Sequence, residues 1–298
     1  MKVPKTVLML ALAFSILSCG SCQAGTTGSG GVDGGTTLSN KILVGSFNLQ
    51  VFGVTKAGKP DVMAILAQVI RHYDIIAVQE IRDAGGTSID ALKAAVNSTG
   101  AIYEYEIGPR LGRTSSKEQY AFFYNTATIE ASSGAYTFNE GGVDTFEREP
   151  FIAHFKAKAG AFDFTLVDIH TKPGDATAEI SFLPNVISEA RTLTAEADVI
   201  CLGDFNADGS YFDEGTYTSI FPSSTFDWLI GNSLDTTEAA SSNTYDRIVT
   251  YLASDEDFDG NAGVYRYDQI LNMGSVTPDL VSDHYPVYAE FWVGKDTD

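Results

Sequence analysis

The chain has 298 residues, 44% of them apolar and 19% charged, which excludes a disordered or fibrous polypeptide and allows one large α/β domain or two smaller ones. Its net charge of −20 at pH 7 is the reverse of the basic balance that accompanies tight, metal-free nucleic-acid binding. An acidic enzyme can still act on a polyanion if cations and a local arginine cluster carry the contact.

Lys2 and Lys5 precede an uncharged apolar run over residues 6–17, then Ser18-Cys19, the pattern of an export signal. The run is too short to span a membrane comfortably. Two cleavage points compete. Ile16-Leu17-Ser18-Cys19 resembles the bacterial lipobox, which would leave Cys19 as a lipidated N-terminus; Cys22-Gln23-Ala24 fits ordinary cleavage before Gly25. The first is favoured, because residues 25–40, rich in Gly, Thr and Ser, would form a flexible tether from a membrane anchor. The expected organisation is therefore a signal in 1–24, a tether in 25–40 and a single catalytic domain in 41–298. Cys201 is the one cysteine left inside that domain, in an apolar run, and reads as a buried inert thiol.

Residues 60–73 carry a helical stripe of Val62, Ile65, Leu66, Val69 and Ile70 with Pro60 at its start. A strand over 75–79 follows at once, ending at Glu80. Residues 90–97 read as a short helix closed by Asn97-Ser98-Thr99-Gly100, and 120–124, 151–155 and 164–169 as strands, the last ending at His170. Residues 175–197 are helical in composition but hold Pro184, where a break or kink is expected. Strands over 199–202, 247–251 and 286–292 complete a sheet-rich α/β pattern.

Several apolar runs end in polar residues: Ser46-Phe47-Asn48, Gln79-Glu80, His170, Gly203-Asp204-Phe205-Asn206 and Ser282-Asp283-His284-Tyr285. A carboxylate at the end of a buried strand is costly unless paired or metal-bound. For Glu80 alone an ion pair with Arg82 would suffice, but Asn48, Glu80, Asp204 and Asp283 together form an oxygen-rich set suited to Mg²⁺, Mn²⁺ or Ca²⁺ rather than zinc. His170 and His284 would supply acid–base chemistry, whereas His72 and His154 read as structural.

The motifs Ser46-Phe47-Asn48-Leu49-Gln50, Val78-Gln79-Glu80-Ile81-Arg82-Asp83, Leu111-Gly112-Arg113, Arg148-Glu149-Pro150, Pro173-Gly174-Asp175-Ala176, Gly203-Asp204-Phe205-Asn206, Tyr245-Asp246-Arg247-Ile248-Val249 and Ser282-Asp283-His284-Tyr285-Pro286 resemble the deoxyribonuclease I branch of the endonuclease/exonuclease/phosphatase superfamily, from about Lys41 to Trp292. The resemblance implies a four-layer sandwich, two packed mixed β-sheets flanked by helices, with the site at one edge. It pairs His170 with Glu118 and His284 with Asp246, with His170 as general acid toward the leaving 3′ oxygen, His284 as base toward water, and Asn206 on a phosphate oxygen. It implies DNA contacts from Arg82, Arg113, Lys117, Arg148 and Tyr245.

The chain also departs from the family. The minor-groove tyrosine is Ser116, an arginine is Gln50, and the cysteines often found at Gly209 and Thr244 are absent together. Two loops match the family's structural Ca²⁺ sites, one with Asp235 and Thr237, where Ala239 replaces an oxygen donor and Ser241 keeps one, the other with Asp144, Phe146 and Glu149. The expectation is an exported, monomeric, Mg²⁺- or Mn²⁺-dependent endonuclease that cuts DNA with little sequence preference and leaves 5′-phosphates. The rivals are a phosphatase or sphingomyelinase-like enzyme of the same superfamily and a surface lipoprotein with a dead site.

Overall fold

Apolar residues occupy both faces of most strands, so each sheet has to be covered on both sides. The computed structural model describes residues 39–132, 134–251 and 256–297. Its strands are β1 (Lys41–Phe52), β2 (Ile75–Ile81), β3 (Tyr103–Ile107), β4 (Gln119–Asn125), β5 (Ile129–Ala131), β6 (Tyr136–Thr137), β7 (Phe151–Ala157), β8 (Asp163–His170), β9 (Val199–Asp204), β10 (Phe226–Trp228), β11 (Asp246–Tyr251), β12 (Phe258–Val264) and β13 (Val287–Trp292). One sheet runs β12-β13-β1-β2-β4-β3; the other runs β10-β11-β9-β8-β7-β5, with β6 on β7. Each is mixed, with one parallel pair: β1 with β2, and β8 with β9.

Alternation along the strands sorts side chains into three cores. Ile75, Ala77, Phe122, Leu166, Ile200 and Leu202 fill the space between the sheets. Ile76, Val78 and Phe123 instead meet the helices α2 (Pro60–Ile70) and α3 (Thr87–Asn97), counting Val54–Ala57 as α1. Val167, Ile169 and Cys201 pack beneath α4 (Ala176–Thr194). The result is the expected four-layer α/β sandwich. Cys201 is a free, buried thiol, its pKa pushed up by burial.

Three expectations need correction or addition. Helix α4 passes through Pro184 without a break. Its apolar stripe of Ile180, Leu183, Val186, Ile187 and Ala190 continues on both sides of the proline, and packing on the sheet outweighs one lost hydrogen bond. Helix α3 starts at Thr87, because the Asp83 carboxylate accepts from the Ser88 amide and both the Thr87 and Ser88 hydroxyls. Strands β3, β5, β6, β10 and β12 carry little signal in the sequence; they are short or, like β12, glycine-containing and register-shifted. The signal and residues 25–38 of the tether lie outside the described residues.

Candidate active site

The inward rows of four strands change from apolar to polar at the same end of the sandwich. β1 runs Val44, Ser46, Asn48; β8 runs Leu166, Asp168, His170; β9 runs Ile200, Leu202, Asp204; β11 starts at Asp246 before Ile248. Register aligns His170 with Asp204 and Asp204 with Asp246. A site therefore forms where the hydrophobic layer between the sheets runs out.

The backbone there is bent out of regular strand geometry. Five non-glycine residues among those described have positive φ, and Gln50 (45°), Val51 (51°), Glu80 (61°) and Asn206 (48°) are four of them. Both ladders flanking β2 shift register around these positions. Such left-handed residues cost about 1–3 kcal/mol each and persist where surrounding contacts hold them. Gly203 (φ 145°) is fixed by a close approach: a Cβ there would lie 1.9 Å from the Ile169 carbonyl oxygen.

The two histidines are mirror-related in their partners. Nδ1 of His170 lies 2.9 Å from Glu118 Oε2, and Nδ1 of His284 lies 2.8 Å from Asp246 Oδ2. Asn48 Nδ2 donates to Glu80 Oε1 at 3.2 Å and to Asp204 Oδ2 at 3.0 Å, joining the sheets. Burial would raise Glu118, but the bond to His170 and the charges of His170, Arg148 and Arg82 bring it down to about 2. Burial lowers His284, yet Asp246 and Asp204 outweigh it and raise its pKa to about 10. Asp204 is held below its usual value: burial acts upward, while the two imidazoles, Asn48 and the Asn206 amide act downward.

A model of the endonuclease/exonuclease/phosphatase family matches residues 45–284. The chain is 35% identical to human deoxyribonuclease-1 over 256 residues, 83% of this chain and 90% of that protein. It is 33% identical to rat deoxyribonuclease gamma over 255 residues, 81% of this chain and 82% of that one. The chain belongs to the endonuclease/exonuclease/phosphatase family, on its deoxyribonuclease I branch. The fold agrees: a family protein from Bacteroides thetaiotaomicron superposes with a TM-score of 0.60 at 20% identity, covering 84% of this chain and 94% of that one. A mannosyl-6-phosphatase of the same organism gives 0.56 at 19%, covering 84% and 99%.

The remaining positions that this family resemblance singled out fall into groups. Asp283 is adjacent to the cluster with a half-exposed side chain, its Oδ1 3.9 Å from His284 Nε2. Asn206 donates its amide to the Thr171 carbonyl at 3.0 Å, and its backbone N–H bonds Asp204 Oδ1. Arg82 reaches Glu80 (2.9 Å) and Glu118 (2.7 Å), so the ion pair expected for Glu80 exists within the larger cluster. Arg148 is buried, and its Nε and an Nη donate to the His170 carbonyl at 3.1 and 2.9 Å. Arg113 pairs with Asp144 (2.9 Å), and Lys117 Nζ donates to the Gly112 carbonyl. The Tyr245 ring stands 6.3 Å from that of His284. His72 stacks on Tyr265 and His154 pairs with Asp163, both away from the cluster.

Sequence reading missed Lys56. Its buried Nζ donates to the Leu49 and Val281 carbonyls, both at 2.9 Å, tying the end of β1 to the loop that carries Asp283 and His284. It also bonds Gln50 Oε1, which turns that side chain inward. Only a tertiary contact reveals this. Where the family often has a disulfide, Asp208 Oδ2 accepts from the Thr244 amide at 2.8 Å and Thr244 Oγ1 bonds Leu234, so hydrogen bonds close the loop. In the first matched Ca²⁺ loop, Asp235 Oδ1 already accepts from the Thr237 and Asn243 amides. In the second, Asp144 and Glu149 line an open cleft of about 490 Å³ with Asn139 and Glu140, while the Phe146 ring is buried against Phe138 and Phe182.

Proposed function

We propose that this protein is an exported, divalent-metal-dependent endonuclease that hydrolyses DNA phosphodiester bonds with little sequence preference and leaves 5′-phosphate ends. One observation carries the reading: two imidazoles, each backed on Nδ1 by a buried carboxylate, direct Nε2 toward the same oxygen, Asp204 Oδ2, at 3.5 Å. That is an acid–base pair astride an anionic centre, the equipment for a displacement in which one proton leaves water and another reaches the departing oxygen. The names of the relatives, deoxyribonucleases, support DNA as substrate.

The donor set fits a hard cation. Glu80 Oε1 and Asp204 Oδ2 both lie within 3.2 Å of one atom, Asn48 Nδ2, so that point is faced by two carboxylate oxygens, and Asp283 Oδ1 lies 3.9 Å from His284 Nε2. Asn48, Glu80, Asp204 and Asp283 would hold Mg²⁺ or Mn²⁺, and Ca²⁺ would be structural. When bound, the cation supplies charge compensation for the acidic cluster and for the phosphoryl oxygens.

Glu118 fixes the His170 ring, and His170 protonates the leaving 3′ oxygen. Asp246 fixes His284, which takes the proton from water. With His284 raised to about 10 by Asp246 and Asp204, the base role requires the Asp204 charge to be compensated. Asn206 orients a phosphate oxygen, and the partly exposed Arg82 contacts the backbone of the strand being cut. Lipidation at Cys19 would keep the monomeric enzyme at a membrane surface. Plasmid nicking with and without EDTA tests the reading. Nicked circles with EDTA-sensitive yield and ligatable 5′-phosphate ends are expected; release of phosphate from monoesters with intact plasmid would overturn it.

A further inference from the structure

Directly beneath the site lies a second polar layer that the proposed reaction does not use. Ser46, Gln79 and Asp168 are each fully buried, on β1, β2 and β8. They immediately precede site residues: Ser46 stands two before Asn48 on the same face of β1, Asp168 two before His170 on the same face of β8, and Gln79 one before Glu80. Gln79 Nε2 donates to Asp168 Oδ1 at 2.6 Å, across the two sheets, and to Ser46 Oγ at 3.0 Å.

Two atoms of this layer have no partner, Gln79 Oε1 and Asp168 Oδ2. Both are acceptors if Asp168 is ionised, and two orphaned acceptors in one buried pair are costly. The groups that feel the Asp168 charge include Tyr120 and Cys201, whose pKa values are themselves pushed upward, and neither is a cation. Burial drives the Asp168 carboxyl well above the usual range, with the Gln79 bond and the Ile169 backbone amide opposing only in part. A single proton on Oδ2 would turn one orphaned acceptor into a donor and give the other its partner.

We propose that Asp168 is a neutral carboxylic acid that donates from Oδ2 to the Gln79 amide oxygen, and that this acid–amide pair is a positioning element for the active site. It ties β8, which presents His170, to β2, at the point where the chain turns into the left-handed conformation of Glu80. Ser46 extends the tie to β1, which presents Asn48. The site residues then inherit their cross-sheet spacing from a layer that carries no net charge, which suits a floor under several carboxylates.

The test compares the full-length protein with D168N and D168A. Asparagine is neutral and reproduces the pattern, donating from Nδ2 to Gln79 Oε1 and accepting at Oδ1. We expect D168N to keep kcat within a factor of about three, and D168A to lose about 10²-fold in kcat with KM for DNA unchanged. The infrared difference spectrum, wild type minus D168N at neutral pH, should show the carbonyl band of a protonated carboxylic acid, shifted in D₂O. Loss of activity in D168N equal to that in D168A, absence of the acid band, or full activity of D168A would each overturn the proposal. Should D168A fail to fold, the D168N activity and the infrared band decide. The kinetic arm rests on the proposed nuclease reaction and the infrared arm does not, so failure of the two readings can be told apart.

Discussion

His170 and His284 stand 3.5 Å, through Nε2, from one and the same atom, Asp204 Oδ2, although they come from β8 and from the loop before β13. Each is oriented from behind by its own carboxylate, Glu118 or Asp246. The two imidazoles proposed as acid and base are thus set by two sheets that meet at one residue.

Replacing either histidine by alanine should lower plasmid nicking by roughly 10²–10⁴-fold, the usual worth of a positioned acid or base. Circular dichroism should be unchanged. Near wild-type nicking by either purified variant would remove that residue from the mechanism.

Glu80→Gln and metal removal should act alike. The substitution leaves a carboxamide where a cation needs charge, so activity should shift to higher Mg²⁺ and vanish in EDTA, returning when Mg²⁺ or Mn²⁺ is restored. Titration of nicking against free metal reads the shift. An unchanged metal requirement in Glu80→Gln would take Glu80 out of the ligand set.

The two arginines near Glu118 should behave differently. Arg82 is partly exposed, so Arg82→Ala should weaken DNA binding and lower the slope of log affinity against log salt by about one. Arg148 is buried on the His170 carbonyl, so Arg148→Ala should reduce kcat and thermal stability and leave the salt slope alone. Salt-dependent binding isotherms of both variants separate these outcomes.

Glu179 gives a pH signature. It is fully buried, its Oε1 accepts the Glu147 and Lys172 amides, and its Oε2 has no partner. Burial raises its pKa from 4.5 to about 7, against those amides and Arg148. The folded state therefore holds a proton that the unfolded chain releases near 4.5. Stability should fall as pH rises from about 4.5 to about 7, and the penalty stays in full above that. Glu179→Gln should raise Tm at pH 8 and flatten this decline; thermal melts between pH 5 and 8 check it.

The lipobox-like run Ile16-Leu17-Ser18-Cys19 predicts a mature chain beginning at an acylated Cys19. Cys19→Ala should release the protein from the membrane fraction or block maturation. Mass spectrometry of the native N-terminus decides, since an unmodified start at Gly25 would mean free secretion.

That apolar runs end in Asn48, Glu80, His170, Asp204 and His284 is legible in the chain alone, because strand periodicity and the local cost of burying such groups are written in neighbouring residues. The stripe of α2 and the helical composition of α4 were legible in the same way, apart from the effect of Pro184, where packing on the sheet overrode a local rule. Folding in three dimensions is what makes Asn48 bridge Glu80 and Asp204 across the sheets, turns Arg148 inward onto His170, and lets Lys56 join two site loops. These contacts link residues far apart in the chain, and Lys56 and Arg148 could as well have faced solvent. Which way they turn depends on the carbonyls that distant strands present, and no local pattern encodes that.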